Sequence, residues 1–371
     1  SVGDDDQNIY TFRGANVRFI RRFQKDYQTQ IIYLVENYRS SKYIIAASNS
    51  LIRVNKDRMK GKHPICINHD REPGLPGGRW SQLDPVSEGR VQVISAKSLL
   101  HQASYVKREI DRIKGLDPQV PWHDFAVLSR TKAPLSTVRA VLEQAGYPIK
   151  MTLEKTFPLH RVREIHSVIA WMAAKEKENA RASDMQTELN DIRGDRVINV
   201  WWRLIDMFFD VYREETFDSI LPVEWAIDNL HEFVAEQRRE KVLGQGIFMS
   251  TIHSAKGMEF PHVFILDGDW RSLSDKDRWE EERRVMYVGM TRAEETLHLL
   301  KIPGRPNPFL REISGKFVMP LSYREEIDNI SYVNKTYEIL GLDDIYMDYA
   351  GNYLQTNSIH GQVAKLETGQ C

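Results

Sequence analysis

The sequence predicts an α/β fold: a mainly parallel sheet flanked by helices, with an all-helical subdomain inserted into it. Three observations carry that prediction. Short apolar runs alternate with amphipathic helical stretches from Arg90 onwards, the mark of parallel strands joined by helical crossovers. From Pro158 to Lys241 the strand pattern stops and only helical spacing is left, before it resumes at Ile247. Finally, the runs Ile247–Thr251 and Val263–Leu266 are separated by Thr251, His253, Ser254, Lys256, Gly257 and Glu259, which have no packing task. Open α/β sheets bind ligands where a strand ends in a polar, Gly-containing turn. Taken alone, that turn is equally an ordinary strand–helix connection.

The chain has 371 residues, 28% charged and 42% hydrophobic, which suits about two globular domains. Its net charge of −1 projects no global positive field, so any nucleic-acid contact rests on local groups. Two cysteines, Cys66 and Cys371, exclude a disulfide scaffold and a cysteine-rich zinc site and fit a reducing cytosol. No run is apolar enough to span a bilayer, and the N-terminus is no signal peptide. The opening SVGDDDQ and the closing KLETGQC both read as cuts from a longer chain.

In chain order, Val2-Gly3 reads as the tail of a strand, and Asp4-Asp5-Asp6-Gln7 then crowd a loop. Packed like charges cost free energy unless they are solvated or close to a cation. Tyr10, Phe12 and Arg13 follow. Aromatics beside an arginine can stack nucleic-acid bases, worth about 1–3 kcal/mol per base; equally, they can be a core pair with a salt-bridged arginine. Asn16 can cap a helix over Val17–Tyr27. Gln30–Val35 reads as a strand, and Glu36-Asn37-Tyr38-Arg39-Ser40-Ser41 leads into a helix over Lys42–Asn55. An arginine at such a junction can reach an anion at the domain's edge, or serve a cap or interdomain salt bridge. Lys56–Glu88, rich in Gly, Pro and charge, reads as an irregular loop. Arg90–Ile94 is a strand, Gln102–Lys114 a helix, Phe125–Leu128 a buried strand, and Ala133–Gln144 a helix stopped by Gly146. In the helical stretch, Ile165, Val168, Met172, then Val200, Trp201, Leu204 and Phe208 recur on one face. After Trp270 comes a helix over Asp277–Thr291, whose charged Glu280–Arg284 reads by default as a solvated face. Thr296–Leu300 is a strand and Pro308–Ile313 a last short helix; the tail lacks strong periodicity.

Four stretches in this order resemble the UvrD/Rep-like superfamily 1 DNA helicases: GDDDQNIYTFRGA their motif III, ENYRSS motif IV, TIHSAKGMEFPHVF motif V, and EEERRVMYVGMTRAEE motif VI. FAVLSRT also matches a family segment. The resemblance covers about Val2 to Ile313. The segment YEILGLDDIYMDYAGN and the compact insertion resemble UvrD-like regions fused behind RecQ-type helicase cores. The family's Walker A and B motifs, which lie upstream of motif III, do not occur in these residues.

The resemblance implies RecA-like architecture, with residues 1–35 the end of a first RecA-like domain and 36–157 with 244–315 a second, discontinuous one. Residues 158–243 correspond to a reduced helical 2B-like subdomain and 316–371 to a C-terminal extension. It implies ATP as cofactor, with Mg²⁺ held mainly by the absent first domain and no metal ligand here. Gln7 would sense the γ-phosphate, Arg39 and Arg292 would be arginine fingers, Tyr38 would stack on adenine, and Glu259, with Gly257 in the same turn, would serve the ribose. Tyr10, Phe12, Arg13 and His253 would contact single-stranded DNA. The implied protein is a cytoplasmic DNA-dependent ATP hydrolase of repair or recombination, moving 3′-to-5′ on single strands and single/double-strand junctions. The competing reading is a catalytically inactive helicase-like DNA-binding or protein-interaction module.

Overall fold

The computed structural model describes residues 2–10, 22–23, 25–56, 58–152, 162–193, 198–240, 242–267, 270, 276–304 and 307–324. Most of the expected helix over Val17–Tyr27, the Phe157-Pro158 boundary and most of the tail lie outside them. The principal elements in order are α1 (Lys42–Ile52), β1 (Val91–Ala96), α2 (Leu99–Leu116), β2 (Phe125–Ser129), α3 (Ala133–Gln144), β3 (Ile149–Thr152), α4 (Arg163–Ala174) and α5 (Ala182–Arg193). They continue with α6 (Val200–Glu215), α7 (Val223–Glu240), β4 (Val242–Gly244), β5 (Ile247–Thr251), β6 (Phe260–Ile265), α8 (Lys276–Met290), β7 (Ala293–Lys301) and β8 (Val318–Tyr323). The chain divides into two compact units, one of residues 1–138 and 247–327, the other built around 139–246.

The first unit carries a parallel sheet with neighbours in the order β8-β1-β7-β6-β2-β5. Because side chains alternate across a strand, each face has its own set. Val91 and Val93, Ala126 and Leu128, Val263 and Ile265, Leu297 and Leu299 form one core with Ile44, Leu51, Val285 and Val288 of α1 and α8. The other face presents Gln92, Phe125, His262, Phe264, Thr296 and His298, all buried, and Tyr105 of α2 reaches it by hydrogen bonds to Gln92 (3.1 Å) and His298 (3.3 Å). Burial on both faces is the rule for parallel sheets and explains why the strands read as continuous apolar runs.

Several expectations are corrected. Gln30–Val35 forms no ladder; pairing is limited to Glu36–Asn37 against Cys66–Ile67. Val2-Gly3 is not in a strand. The tail beyond Ile313 contributes β8, an edge strand in register with β1 whose mixed exposure leaves no clear alternation to read. Glu280–Arg284 is not a solvated face: Arg283 and Arg284 are buried, Arg283 forks onto Glu312 (2.6 and 2.7 Å), and Glu282 takes both arms of Arg130 (2.6 and 2.7 Å). Charge runs hide in the interior when each charge meets an opposite partner.

The second unit is mostly helical. Trp201, Trp202, Phe208 and Phe209 of α6 are fully buried among α4, α5 and α7. Asn199 caps α6, accepting from the amides of Trp201 (3.0 Å) and Trp202 (3.1 Å) while donating to buried Glu164 (2.6 Å). Buried Glu143 accepts from the Val200 amide (2.9 Å), and burial raises its pKa. The unit also holds the antiparallel pair β3–β4 and a two-residue pair of Asn179–Ala180 with Leu221–Pro222.

His262 and His298, stacked on Phe125 (5.0 Å) and Phe264 (4.5 Å), are held neutral: burial lowers each pKa to about 3. A folded pKa below the unfolded value of about 6.5 means the unfolded chain binds the extra proton first, so stability is present above that pH and drains as pH falls towards 3. Each histidine should add a slope of at most about 1.4 kcal/mol per pH unit. Denaturant titrations between about pH 7 and about pH 4.5 should therefore show falling stability in the first unit, and His298→Gln should flatten that fall. Unchanged steepness in the variant would mean that the imidazole is charged in the folded state.

Candidate functional site

The three carboxylates near the N-terminus are reconciled by a segment that reads as irregular loop. Asp6 is buried and gripped by both arms of Arg58 (2.8 and 2.7 Å). Asp5 accepts from the Met59 amide (2.6 Å), and burial raises its pKa against that bond. Asp4 pairs with Lys60 (2.8 Å), caps the turn Asp5–Gln7 through the Asp6 amide (3.1 Å), and accepts from the Gln7 side-chain amide (2.9 Å). The carboxylate oxygens of Asp4, Asp5 and Asp6 come within 4.8 Å of one another, but Arg58, Met59 and Lys60 already occupy them. The cluster is a clamp, and the Arg58-Met59-Lys60 side of it was not legible as such.

Beyond the clamp, Ile9 enters the core, and Tyr10, half-buried, donates to the His253 carbonyl (2.8 Å) with its ring 6.1 Å from the imidazole. Lys256 donates to the Gln7 carbonyl (2.9 Å) and its ammonium lies 5.1 Å from the centre of the Tyr10 ring. Burial lowers the Lys256 pKa; Asp4 and Arg292 are the charges felt next. The turn after β5 thus closes on the loop of Gln7, with Lys256 as the linking group. Gly257 has φ +89°, a backbone setting that L side chains rarely adopt, although a Cβ there would meet nothing within 4 Å. Conformation, not space, requires the glycine.

The arginines meet on the adjoining side. The Asn37 side chain accepts from the amides of Arg39 (2.9 Å) and Ser40 (2.8 Å), turning the chain into α1. Ser40 then donates to the Ala293 carbonyl (2.7 Å) and the Ser41 amide to the Glu294 carbonyl (2.9 Å), which ties the start of α1 to the start of β7. Arg39 pairs with Glu259, and its Nε is buried without a partner. Arg292 is only 3% exposed, and its guanidinium donates to the carbonyls of Val288 (3.0 Å) and Met258 (2.9 Å) and to the Thr291 hydroxyl (3.1 Å). Among the described residues no carboxylate forms an ion pair with it. Its pKa falls to about 10, from burial first and the Arg39 charge second. Arg39 on the Glu259 carboxylate and Arg292 buried on neutral acceptors thus bring two guanidiniums to one site.

Of the residues singled out from the sequence, the structure joins Gln7, Tyr10 and His253 around Lys256, and Arg39 with Glu259 and, through its charge, Arg292. Tyr38 stands apart: the residue is 69% exposed and its hydroxyl donates to Glu36 (2.8 Å). Phe12 and Arg13 lie outside the described residues. Lys256 was noted as a turn residue and given no role; its tie to Gln7 spans 249 positions, which no local pattern shows.

The chain matches the UvrD-like helicase C-terminal domain over residues 32–190 and 202–303, and the UvrD/REP helicase N-terminal domain over residues 1–28. It is 25% identical over 407 residues to DNA helicase II of Haemophilus influenzae, covering 87% of this chain and 55% of that protein. To ATP-dependent DNA helicase UvrD1 of Mycobacterium tuberculosis it is 27% identical over 433 residues, covering 85% and 53%. To ATP-dependent DNA helicase PcrA of Staphylococcus epidermidis it is 24% identical over 422 residues, covering 84% and 54%. The chain spans about half the length of the curated relatives it matches. With well over half of its residues matched by the first of these families, and motifs III to VI in order, the chain belongs to the UvrD-like helicase C-terminal domain family.

Proposed function

We propose that the chain is the C-terminal part of an ATP-dependent DNA helicase or translocase, which couples nucleotide hydrolysis to 3′-to-5′ movement on single-stranded DNA and to opening of duplex junctions. The observation that carries the reading is the buried Arg292 guanidinium on neutral acceptors only, beside Arg39. Such a pair suits the charge that develops on a phosphoryl group in transfer, and an arginine finger is worth about 10³–10⁵ in rate, or ~4–7 kcal/mol. In this reading Arg39 releases Glu259 on nucleotide binding, freeing that carboxylate to accept from the ribose hydroxyls. Tyr38, with its exposed ring, stacks on the adenine. Gln7 positions the attacking water, since an amide both donates and accepts. Mg²⁺ is assigned to residues beyond these, because the acidic cluster is neutralised by Arg58 and Lys60. Tyr10, Phe12, Arg13 and His253 contact the single strand, and Lys256, touching both the Gln7 carbonyl and the Tyr10 ring, relays phosphate occupancy to it.

The 371 residues contain no GxxxxGK[ST] loop to cradle the β- and γ-phosphates, so the chain by itself should not turn over ATP. Phosphate release stimulated by single-stranded DNA, above that of an Arg292→Ala control, would contradict this.

In the full-length protein, Arg39→Ala or Arg292→Ala should cut turnover by about 10³-fold or more while nucleotide affinity changes little, because the fingers act on transition-state charge. Lysine should rescue poorly, since a point charge does not reproduce the planar fork. Equal losses of affinity and turnover would make these arginines structural, and unaltered turnover would favour the inactive-module reading.

A further inference from the structure

The end of the second unit where α6 meets α7 combines three properties that packing does not explain. Phe217 is 91% exposed, Ile220 61% and Trp225 53%, all within nine residues between the end of α6 and the first turn of α7. Isolated exposed apolar residues are ordinary, but two large aromatics and an isoleucine together at one tip mark an interaction surface. Phe217 and Asp218 both hold φ +51°, a conformation that suits glycine or asparagine and strains phenylalanine. The tip is also rigid: the Asp218 carboxylate accepts from the Ser183 amide (2.9 Å) and hydroxyl (2.8 Å) at the start of α5, and the Asp218 amide donates to the Arg213 carbonyl (3.0 Å). Phe217 is therefore held outward at a cost in strain, with no intramolecular packing in return.

The charge around the tip says what it fits. From Asp210 to Glu232 there are seven carboxylates and one arginine, a net −6, and Arg213 is already paired with Asp210 (3.2 Å). Asp210, Glu214, Glu215, Glu224, Asp228 and Glu232 are all exposed. The adjoining turn, residues 176–181, holds two acids and two bases and so leaves the sign unchanged. This field repels nucleic acid and a second copy of the same tip alike.

We propose that the α6–α7 tip is a docking surface for a protein partner that presents a basic segment with apolar anchors. Phe217, Ile220 and Trp225 supply the apolar contact, and the surrounding carboxylates supply the attraction and exclude DNA. The surface is built from none of the residues assigned to nucleotide and single-stranded DNA, and the proposal stands whether or not that assignment holds.

The test titrates the 371-residue chain with a fluorescein-labelled amphipathic peptide of leucine and lysine at helical spacing, read by anisotropy at low and moderate salt. Wild type should bind, more weakly as salt rises, and a glutamate-for-lysine peptide should not bind. Trp225→Ala, and separately Glu214→Lys with Glu215→Lys, should each weaken binding by about tenfold or more. Phe217→Asn separates docking from folding: asparagine tolerates the left-handed conformation, so the unfolding midpoint should hold or rise while peptide affinity falls. The proposal is overturned if wild type does not bind the lysine peptide or if the variants bind it like wild type. It is equally overturned if Phe217→Asn lowers the midpoint without changing affinity, or if duplex DNA binding or self-association is what the variants weaken.

Discussion

The buried pairing of Asp6 with Arg58 is the constraint on which the site depends. Side-chain exposure is 1% for the aspartate and 8% for the arginine, and both guanidinium arms are used. Removing one partner of such a pair leaves an uncompensated interior charge, at a cost of about 3–5 kcal/mol. Here it would also release Asp5 and Asp4 from Met59 and Lys60, because the three consecutive acids are gripped by three consecutive residues. The turn that carries Gln7, and the approach of Lys256 to the Gln7 carbonyl, follow from that grip. A run of like charges is thus made into a fixed platform by a complementary run fifty-odd positions away.

The sheet sets the other boundary. Its strands are buried on both faces, and several of the polar side chains beside them have a partner built in. Arg112 bridges Asp84 (2.7 Å) and Glu109 (2.7 Å), and that pairing holds the Asp84 carboxyl at about 2. His262 and His298 are admitted by stacking and by the Thr296 hydroxyl, 2.9 Å from the ring of the first and 3.3 Å from that of the second. Arg292 differs in kind. Its partners are main-chain carbonyls and a hydroxyl, and it sits where β7 begins, beside the start of α1. A buried guanidinium held on neutral acceptors is the feature on which the proposed phosphate-binding role of Arg292 rests.

Much of this was legible in the sequence, for reasons of period and contiguity. The alternation of short apolar runs with amphipathic helices located β1, α2, β2 and α3, because both periods are local properties. Gln7, Arg39, Glu259 and Arg292 stood out as polar residues at strand–turn junctions and in contiguous motifs. What stayed hidden depends on distance along the chain. Arg58 and Lys60 sit in a Gly- and Pro-rich stretch that reads as loop, and only their aspartate partners give them a task. Arg283 reads as solvated until Glu312 is known to face it. β8 is an edge strand with mixed exposure, so it lacks the run of apolar residues that announces a central strand.

The pairing of Arg39 with Glu259 has a consequence for ionic strength. Both side chains are partly open to solvent, at 36% and 50%, so the bridge is worth no more than about 1 kcal/mol and is readily exchanged. While it is closed, Arg39 is cancelled by Glu259, and in the proposed reading an arriving phosphate would meet only one of the two guanidiniums free of a carboxylate partner. Attraction from a distance would then be modest and only weakly screened by salt, whereas contact would bring the second guanidinium to bear after its bridge opens. In the reading proposed above, the bridge would act as an internal counterion: both arginines would be fully charged only towards a ligand that can satisfy the carboxylate it displaces.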